Sequence, residues 1–168
     1  MHYIFDHLKA AEPTDGDTIA TTIDLGVGLS LDIKLRLFGI DCPERNRIPQ
    51  RAAAEAASEA AGQWIEAAGV ASLSMVSRRW DKYGGRLLGD LVRLSPREIE
   101  SRSLGEYLVA TGYAKRTDEN GRRSPWLTSE LLGIVERHAA RKAASDAARP
   151  EDPATTGDTP AGPTPPDR

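Results

Sequence analysis

The chain has 168 residues, enough for one domain with its own hydrophobic core and a tail. A single cysteine excludes an internal disulfide framework, and no apolar run approaches the ~20 residues that a membrane-spanning helix needs. The net charge of −3 lies at the C-terminal end: from position 146 onward five acidic residues face two arginines, and residues 1–145 are neutral. Neutrality argues against a histone-like coat for nucleic acid but allows a local basic site. Since no secretory signal is recognisable at the N-terminus, we expect a cytoplasmic protein.

The first predicted elements are two strands joined by a glycine turn. Residues 19–25 (IATTIDL) are rich in β-branched residues, residues 26–28 (GVG) are typical of a turn, and residues 31–38 alternate apolar and charged side chains. The preceding residues 15–18 (DGDT) are typical of another turn. They do not form a helix-loop-helix calcium loop, because the regular acidic spacing and the closing glutamate are missing.

The second strand ends in residues 36–44 (RLFGIDCPE), which include three charged residues and the cysteine. Strict alternation places Arg36 on the face opposite the leucines. Pro43 restricts Cys42 to an extended backbone, so Asp41 and Glu44 flank a stiff corner. Carboxylate and carbonyl oxygens suit a hard cation, whereas the same carboxylates oppose a nucleophilic thiolate. The residues alone favour a small apolar role for the cysteine side chain and leave a metal site, a phosphate site and a solvated turn open.

An alanine-rich helix and two further strands follow. Residues 51–68 are predicted to be helical, with one core-facing stripe that consists of Ala53, Ala57, Ala60, Ala61, Trp64 and Ala68. Residues 70–77 and 86–94 are predicted strands. Between them, residues 78–86 (RRWDKYGGR) combine arginines, aromatic residues and two glycines. That combination suits phosphate contacts with base stacking, but it is equally typical of a basic hairpin tip.

Two helices are predicted in the C-terminal third. A capping-box pattern at residues 103–106 precedes a short helix that ends at Gly112. Residues 124–125 (SP) are typical of the start of a last helix over residues 126–147. His138 of that helix lies beside three basic residues, which favours a solvated basic face over a ligand cluster.

The domain organisation follows from these segments. Residues 149–168 contain six prolines and no large apolar residue, so we predict a disordered, acidic tail after a domain of residues 1–148. Strands, helix, strands, helix and helix in this order predict an α+β domain built on an antiparallel sheet or barrel. Short strands punctuated by glycines favour a five-stranded Greek-key barrel.

Three motifs, taken together and in this order, resemble the thermonuclease family, whose type member is staphylococcal nuclease. The motifs are DGDT at 15–18, Arg36 with GIDCPE at 39–44, and DKYGGR at 81–86. LGDL at 88–91 and LGEYLVATGYAK at 104–115 also match, so the resemblance covers roughly residues 12–140. It implies an oligonucleotide/oligosaccharide-binding (OB) barrel of five strands with about three flanking helices. The implied activity is calcium-dependent hydrolysis of DNA or RNA phosphodiesters. Separately, we expect a monomer without an obligate protein partner.

The resemblance also implies a metal site and a general base. Asp17, Asp41 and the backbone carbonyl of Cys42 would bind Ca²⁺, and Glu44 would activate the attacking water. This division is physically consistent, because a divalent ion can bridge water and phosphate in an in-line displacement. Glu44 lies three residues after Asp41 and can therefore reach water in the outer shell of the same ion.

The substrate side of the implied site consists of arginines and an aromatic pocket. Arg36 and Arg86 would bind the scissile phosphate bidentately, while Lys82 and Tyr83 would line the nucleotide pocket. The third motif has two glycines where the family pattern has one, so Arg86 could shift by one residue and face away. The segment after Tyr113 also lacks the later tyrosines of the family, which affects base preference. A binding-only OB module that does not cleave nucleic acid is the alternative function.

Overall fold

The computed structural model describes residues 3–81, 84–93 and 103–148. The described strands are β1 (Tyr3–Phe5), β2 (Leu8–Asp15), β3 (Thr18–Gly26), β4 (Leu29–Leu37), β5 (Ile40–Asp41), β6 (Leu73–Trp80), β7 (Arg86–Arg93) and β8 (Lys115–Arg116). The described helices are α1 (Arg51–Ala68), α2 (Leu104–Ala110) and α3 (Thr128–Ala147), with a 3₁₀ turn at Val70–Ser72. The predicted α+β class is confirmed, and the predicted tail at 149–168 lies outside the described residues.

The main sheet has six strands in the order β1-β6-β7-β4-β3-β2, and β5 pairs with β8 in a separate two-stranded sheet. All neighbours are antiparallel except β4 and β7, which run parallel. The predicted five-stranded barrel is confirmed only in part, because the described sheet has six strands and its ladder ends at β1 and β2 without closing. These two edge strands are consecutive in the chain, and β1 pairs with β6 while β2 pairs with β3. The sheet is consistent with an OB-like fold that is open at this edge.

The β3–β4 turn was predicted correctly, whereas the bounds of β6 differ from the predicted strand. The turn between β3 and β4 is confirmed, with positive φ at Gly26, Val27 and Gly28. The predicted strand over 70–77 begins three residues later, because the 3₁₀ turn precedes it, and it continues to Trp80. As a result, Arg78 and the two residues after it belong to a strand and not to the loop.

The core lies between the sheet and α1. In β4, Leu35 and Leu37 are buried while Arg36 is partly exposed, so the predicted alternation holds at the end of the strand. The predicted helix over 51–68 is confirmed, and its alanine stripe packs against β2 and α3. The contact is close at the turn after β2: a Cβ atom added to Gly16 would lie 2.8 Å from Cβ of Ala57. In the described part of the chain, no helix is both long and apolar enough to cross a membrane.

The last helix begins later than predicted. Its first residue is Thr128, whereas a start at residues 124–125 was expected. The Glu130 side chain accepts a hydrogen bond from the Leu127 N–H at 2.8 Å and so caps the observed end. Residues 117–127 form the connection between β8 and α3 and contact the corner at residues 39–44. This connection, referred to below as the β8–α3 segment, becomes important at the site.

His138 of α3 does not lie on a solvated basic face, so that prediction is wrong. Its ring is mostly buried, with Nδ1 3.0 Å from the hydroxyl of Tyr113 and Nε2 3.0 Å from Oε2 of Glu59. Lys142 binds the other oxygen of Glu59 at 3.1 Å. The residue therefore ties α3 to α1, a role that helical spacing within α3 cannot reveal.

A partly buried carboxylate, that of Asp90, holds the start of α2. Ser103 caps the helix by accepting a hydrogen bond from the Glu106 N–H at 3.1 Å, as the capping pattern predicted. Oδ1 of Asp90, on β7, accepts hydrogen bonds from the backbone N–H groups of Leu91 and Gly105 at 2.9 and 3.1 Å. Burial raises the pKa of Asp90 to about 6, because the desolvation of its charged form outweighs these hydrogen bonds.

Candidate active site

Asp17 occupies the second position of a two-residue turn between β2 and β3, which confirms the predicted turn. It is buried and accepts hydrogen bonds from the Thr18 hydroxyl at 3.2 Å and the Cys42 N–H at 3.1 Å. Arg36 binds both carboxylate oxygens, Nη1 to Oδ1 at 2.8 Å and Nη2 to Oδ2 at 2.7 Å. Burial nevertheless raises the pKa of Asp17 above its ordinary value. A group held this far from water would gain from a second cation.

Asp41 lies on β5, beside the same guanidinium. Arg36 Nη2 is 3.8 Å from its Oδ1, and the Trp126 indole donates to its Oδ2 at 3.1 Å. Arg123 Nε forms an ion pair with Oδ1 at 3.2 Å, but this buried oxygen accepts no hydrogen bond from the described residues. Burial raises the pKa of Asp41, and Arg123 is the largest influence in the opposite direction.

The Cys42 thiol is buried, which confirms its predicted apolar role. Its sulfur would lie 2.9 Å from a Cβ atom added to Gly16, so the turn and the corner at residues 41–44 pack directly together. Burial, together with the charges of Asp17 and Asp41, raises the thiol pKa well above its ordinary value. The backbone N–H of Cys42 contacts Asp17, whereas its side chain belongs to the core.

Glu44 is held by two arginines. Arg47 Nε lies 2.7 Å from its Oε2, and Arg123 Nη1 donates to its Oε1 at 2.7 Å. Its backbone N–H donates to Gln50 Oε1 at 2.9 Å, just before α1. Arg123 thus bridges Glu44 and Asp41.

Arg86 faces the site despite the additional glycine. Asp81 N–H donates to the Arg86 carbonyl at 2.9 Å, and Gly84 and Gly85 both have positive φ within the resulting turn. The parallel register of β4 and β7 places Arg86 and Arg36 two positions apart on one face of the sheet. The β4–β7 register therefore keeps Arg86 on the face of Arg36, while the β6–β7 pairing shifts by one residue between Ser77 and Arg79. Arg86 Nη2 forms an ion pair with Oδ2 of Asp81 at 2.7 Å.

A cleft of about 1070 Å³ lies beside the carboxylates Asp17, Asp41 and Glu44, and their partners Arg36 and Arg123 are part of its lining. Its lining combines the end of β4, the β6–β7 hairpin and the β8–α3 segment. Three other carboxylates and five arginines line it, and the arginines are Arg36, Arg79, Arg86, Arg116 and Arg123. The excess of guanidinium groups suits a polyanionic ligand.

Aromatic side chains border the cleft. Trp80 is 62% exposed at the rim, and Phe38 is 40% exposed. The guanidinium carbons of Arg78 and Arg79 lie 4.8 and 5.9 Å from the centre of the Phe38 ring. Exposed aromatic surface beside arginines is typical of contacts with unstacked nucleobases.

A comparison with family models supports the motif-based resemblance. The model described as staphylococcal nuclease homologue matches residues 34–144. The chain belongs to this family. The matched region of this staphylococcal nuclease homologue includes Arg36, Asp41, Glu44 and Arg86, while Asp17 precedes it. A comparison with curated proteins gave no match.

The donor set of the site fits a hard cation in part. Asp17 and Asp41 both approach Arg36 Nη2, and Asp41 offers a buried oxygen that accepts no hydrogen bond from any residue the structure describes. In the residues that the structure describes, no three His, Cys, Asp or Glu side chains are grouped around one possible metal position. Glu44 therefore does not join the two aspartates as a third ligand. A calcium ion would have to complete its shell with backbone carbonyls and water, as calcium commonly does.

Three residues that contact the carboxylates of the site were not predicted from the sequence. Arg123 and Trp126 bind Asp41, and Arg47 and Arg123 bind Glu44. A signal was present, because residues 122–126 (RRSPW) repeat the arginine–aromatic composition of residues 78–80 (RRW). It was interpreted instead as the start of a helix. The predicted nucleotide-pocket residues Lys82 and Tyr83 lie outside the described residues.

Proposed function

We propose that the protein is a calcium-dependent nuclease that hydrolyses phosphodiester bonds of DNA or RNA. The observation that carries this proposal is the meeting of two buried aspartates, Asp17 and Asp41, at Arg36 beside the arginine-lined cleft. Membership of the staphylococcal nuclease homologue family supports it. The combination provides both a place for a dication and a surface for phosphate.

Arg36 and Arg86 are proposed to bind the scissile phosphate. Both lie on one face of the sheet and line the cleft, and each guanidinium now pairs with a carboxylate. Guanidinium forks match the oxygens of a phosphodiester, whose negative charge increases during in-line attack. From the scale for such electrostatic donors, loss of either arginine should cost about 3 to 4 kcal/mol of transition-state stabilisation.

Asp17, Asp41 and the carbonyl of Cys42 are the proposed calcium ligands. When bound, calcium would polarise the phosphate and help to orient the attacking water. Burial of both aspartates favours such a cation, because it would relieve two desolvated negative charges.

Glu44 is the proposed general base. The water oxygen forms a bond to phosphorus while a P–O ester bond breaks, and Glu44 takes the water proton. The leaving oxygen is protonated from solvent, so one water yields a phosphate monoester and a hydroxyl group. Lys82 and Tyr83 remain the proposed nucleotide-binding residues, and the exposed Trp80 at the rim is suited to stack on a base.

Cleavage assays test the proposal directly. Purified protein should cut plasmid, single-stranded DNA or RNA with calcium and stop when a chelator is added. Glu44→Gln should abolish turnover but retain calcium-dependent binding of a nucleoside 3′,5′-bisphosphate. Glu55→Gln is the matched control, because Glu55 also pairs with an arginine, but its partner Arg51 is not in the cleft lining, whereas Arg123, a partner of Glu44, is. Full activity in Glu44→Gln would contradict the base assignment.

A binding-only module is the second candidate, and one observation favours it. Both oxygens of Glu44 are ion-paired with arginines, which leaves the proposed base without a free oxygen. A pure binding protein would retain single strands in calcium and cleave none of the three substrates. Cleavage of any one of them that depends on calcium would exclude this alternative.

A further inference from the structure

The β8–α3 segment places a cation where a metal-dependent nuclease would need free carboxylates. Arg123 Nε lies 3.2 Å from Asp41 Oδ1, and its Nη1 lies 2.7 Å from Glu44 Oε1. Arg47 binds the other oxygen of Glu44, and Arg36 binds both oxygens of Asp17. Three guanidinium groups thus face three carboxylates, and their formal charges cancel without a metal ion.

Such a cluster cannot perform the proposed chemistry unchanged. A carboxylate with both oxygens in ion pairs is a poor acceptor for a water proton. The buried Oδ1 of Asp41 faces two guanidinium groups but accepts no hydrogen bond from the described residues. A dication at that oxygen would meet Arg123 at close range, and the two positive charges would repel each other.

Arg123 is better placed to move than Arg36, and unlike Arg47 it both pairs with Asp41 and lines the cleft. Its side chain is 45% exposed and lines the cleft, whereas that of Arg36 is 15% exposed and is held by Asp17. Its backbone follows a turn that is fixed by Asp118, which accepts hydrogen bonds from the N–H groups of Asn120 and Arg122 at 2.9 and 2.6 Å. The guanidinium can therefore swing while the main chain stays in place.

We propose that Arg123 is an exchangeable positioning residue that neutralises Asp41 and Glu44 in the metal-free protein and passes to a substrate phosphate when a dication occupies Asp41. The exchange frees Oε1 of Glu44 for the water proton and adds a third arginine to the phosphate. Trp126, three residues further on, keeps its own contact with Asp41 and holds the segment beside the site. This inference rests on the proposed function and adds a competition between a side chain and the metal.

Exchange predicts opposite effects on two ligands. Without Arg123, calcium no longer competes with a guanidinium, so its affinity should rise roughly fivefold, the upper end for a partly exposed ion pair. A nucleoside 3′,5′-bisphosphate loses a phosphate contact, so at saturating calcium its affinity should fall roughly tenfold, as for one charged hydrogen bond. A purely structural arginine would weaken both ligands on removal.

The test uses the full chain and calorimetric titration with calcium alone, then with the bisphosphate at saturating calcium. Arg123→Gln is compared with the wild type, with Arg123→Lys and with Arg122→Gln. Arg122 is exposed, and its side chain forms no hydrogen bond or ion pair with any described residue, so Arg122→Gln makes the same charge change one residue away. Calcium affinity should rise in Arg123→Gln and stay near the wild-type value in the other two variants. Thermal unfolding of each variant confirms that it is folded.

Three results would overturn the exchange. These are unchanged or weaker calcium binding in Arg123→Gln, an equal rise in Arg122→Gln, and bisphosphate binding that does not fall. Cleavage by the wild type in calcium tests the proposed nuclease function separately. If the wild type cleaves but any of these three results is found, only the proposed exchange of Arg123 is overturned. A wild type that binds no calcium would overturn both.

Discussion

The partly buried carboxylate of Asp90 makes stability depend on pH in a direction unusual for an acid. Its pKa is raised from 3.8 to about 6 in the folded protein. Between these values the folded state binds more protons than the unfolded state, so the free energy of unfolding falls as pH rises. The stabilising contribution is complete below pH 3.8 and is lost by the time the pH has passed about 6.

The change in the free energy of unfolding follows from the pKa change of Asp90 on folding. At about 1.36 kcal/mol per pKa unit, this pKa change corresponds to about 3 kcal/mol. Asp90 is partly exposed, and solvent screens part of its charge, so about 2 kcal/mol is a reasonable expectation. Asp90→Asn removes the titration but keeps a side-chain oxygen for the N–H groups of Leu91 and Gly105. The variant should therefore match the wild type at pH 4 and exceed its stability by about 2 kcal/mol at pH 7.

Urea unfolding at pH 4, 5, 6 and 7, followed by tryptophan fluorescence, measures the difference between variant and wild type. Glu59→Gln is a control of opposite sign. The pKa of Glu59 is lowered by Lys142 and His138, so its contribution is present above the unfolded pKa and is lost as pH falls. A difference between Asp90→Asn and wild type that stays constant from pH 4 to 7 would refute the reasoning, because only the ionised Asp90 carries the desolvation cost.

Three further predictions concern the site and its support. Trp80→Ala should weaken binding of single-stranded DNA by about 1 to 3 kcal/mol per stacked base, while Trp80→Phe should retain most of it; equal loss in both would contradict stacking. Gly16→Ala should lower the free energy of unfolding, measured by chemical denaturation, by about 1 to 3 kcal/mol, because the added Cβ would lie 2.8 Å from the Cβ of Ala57. Gly62→Ala, inside α1, should raise it by about 0.5 to 1 kcal/mol, because the nearest atom to its added Cβ is 3.8 Å away. Cys42→Ser should cleave nearly as well as wild type, and the native thiol should react with a thiol reagent only on unfolding; rapid labelling of the folded protein would show that the sulfur is accessible.

Local sequence patterns were sufficient where the physics is local. The DGDT turn, the outward face of Arg36 and the alanine stripe of α1 follow from turn chemistry and from side-chain periods within one element, and the structure confirms each. Residues 36–44 likewise place Asp41, Cys42 and Glu44 within one corner whatever the rest of the chain does.

Local patterns could not predict the contacts that depend on how distant segments of the chain pair. Arg36 and Arg86 share a face only because β4 and β7 run parallel in one register, and the open edge between β1 and β2 arises from two different pairings of consecutive strands. Asp41 meets Trp126 across 85 residues of sequence. Propensity and periodicity describe single helices and strands. Burial and ion pairing instead involve side chains from different elements that become neighbours only in the folded protein. The sequence alone therefore predicted the carboxylates of the site, and only the tertiary structure revealed that Arg123 already binds two of them.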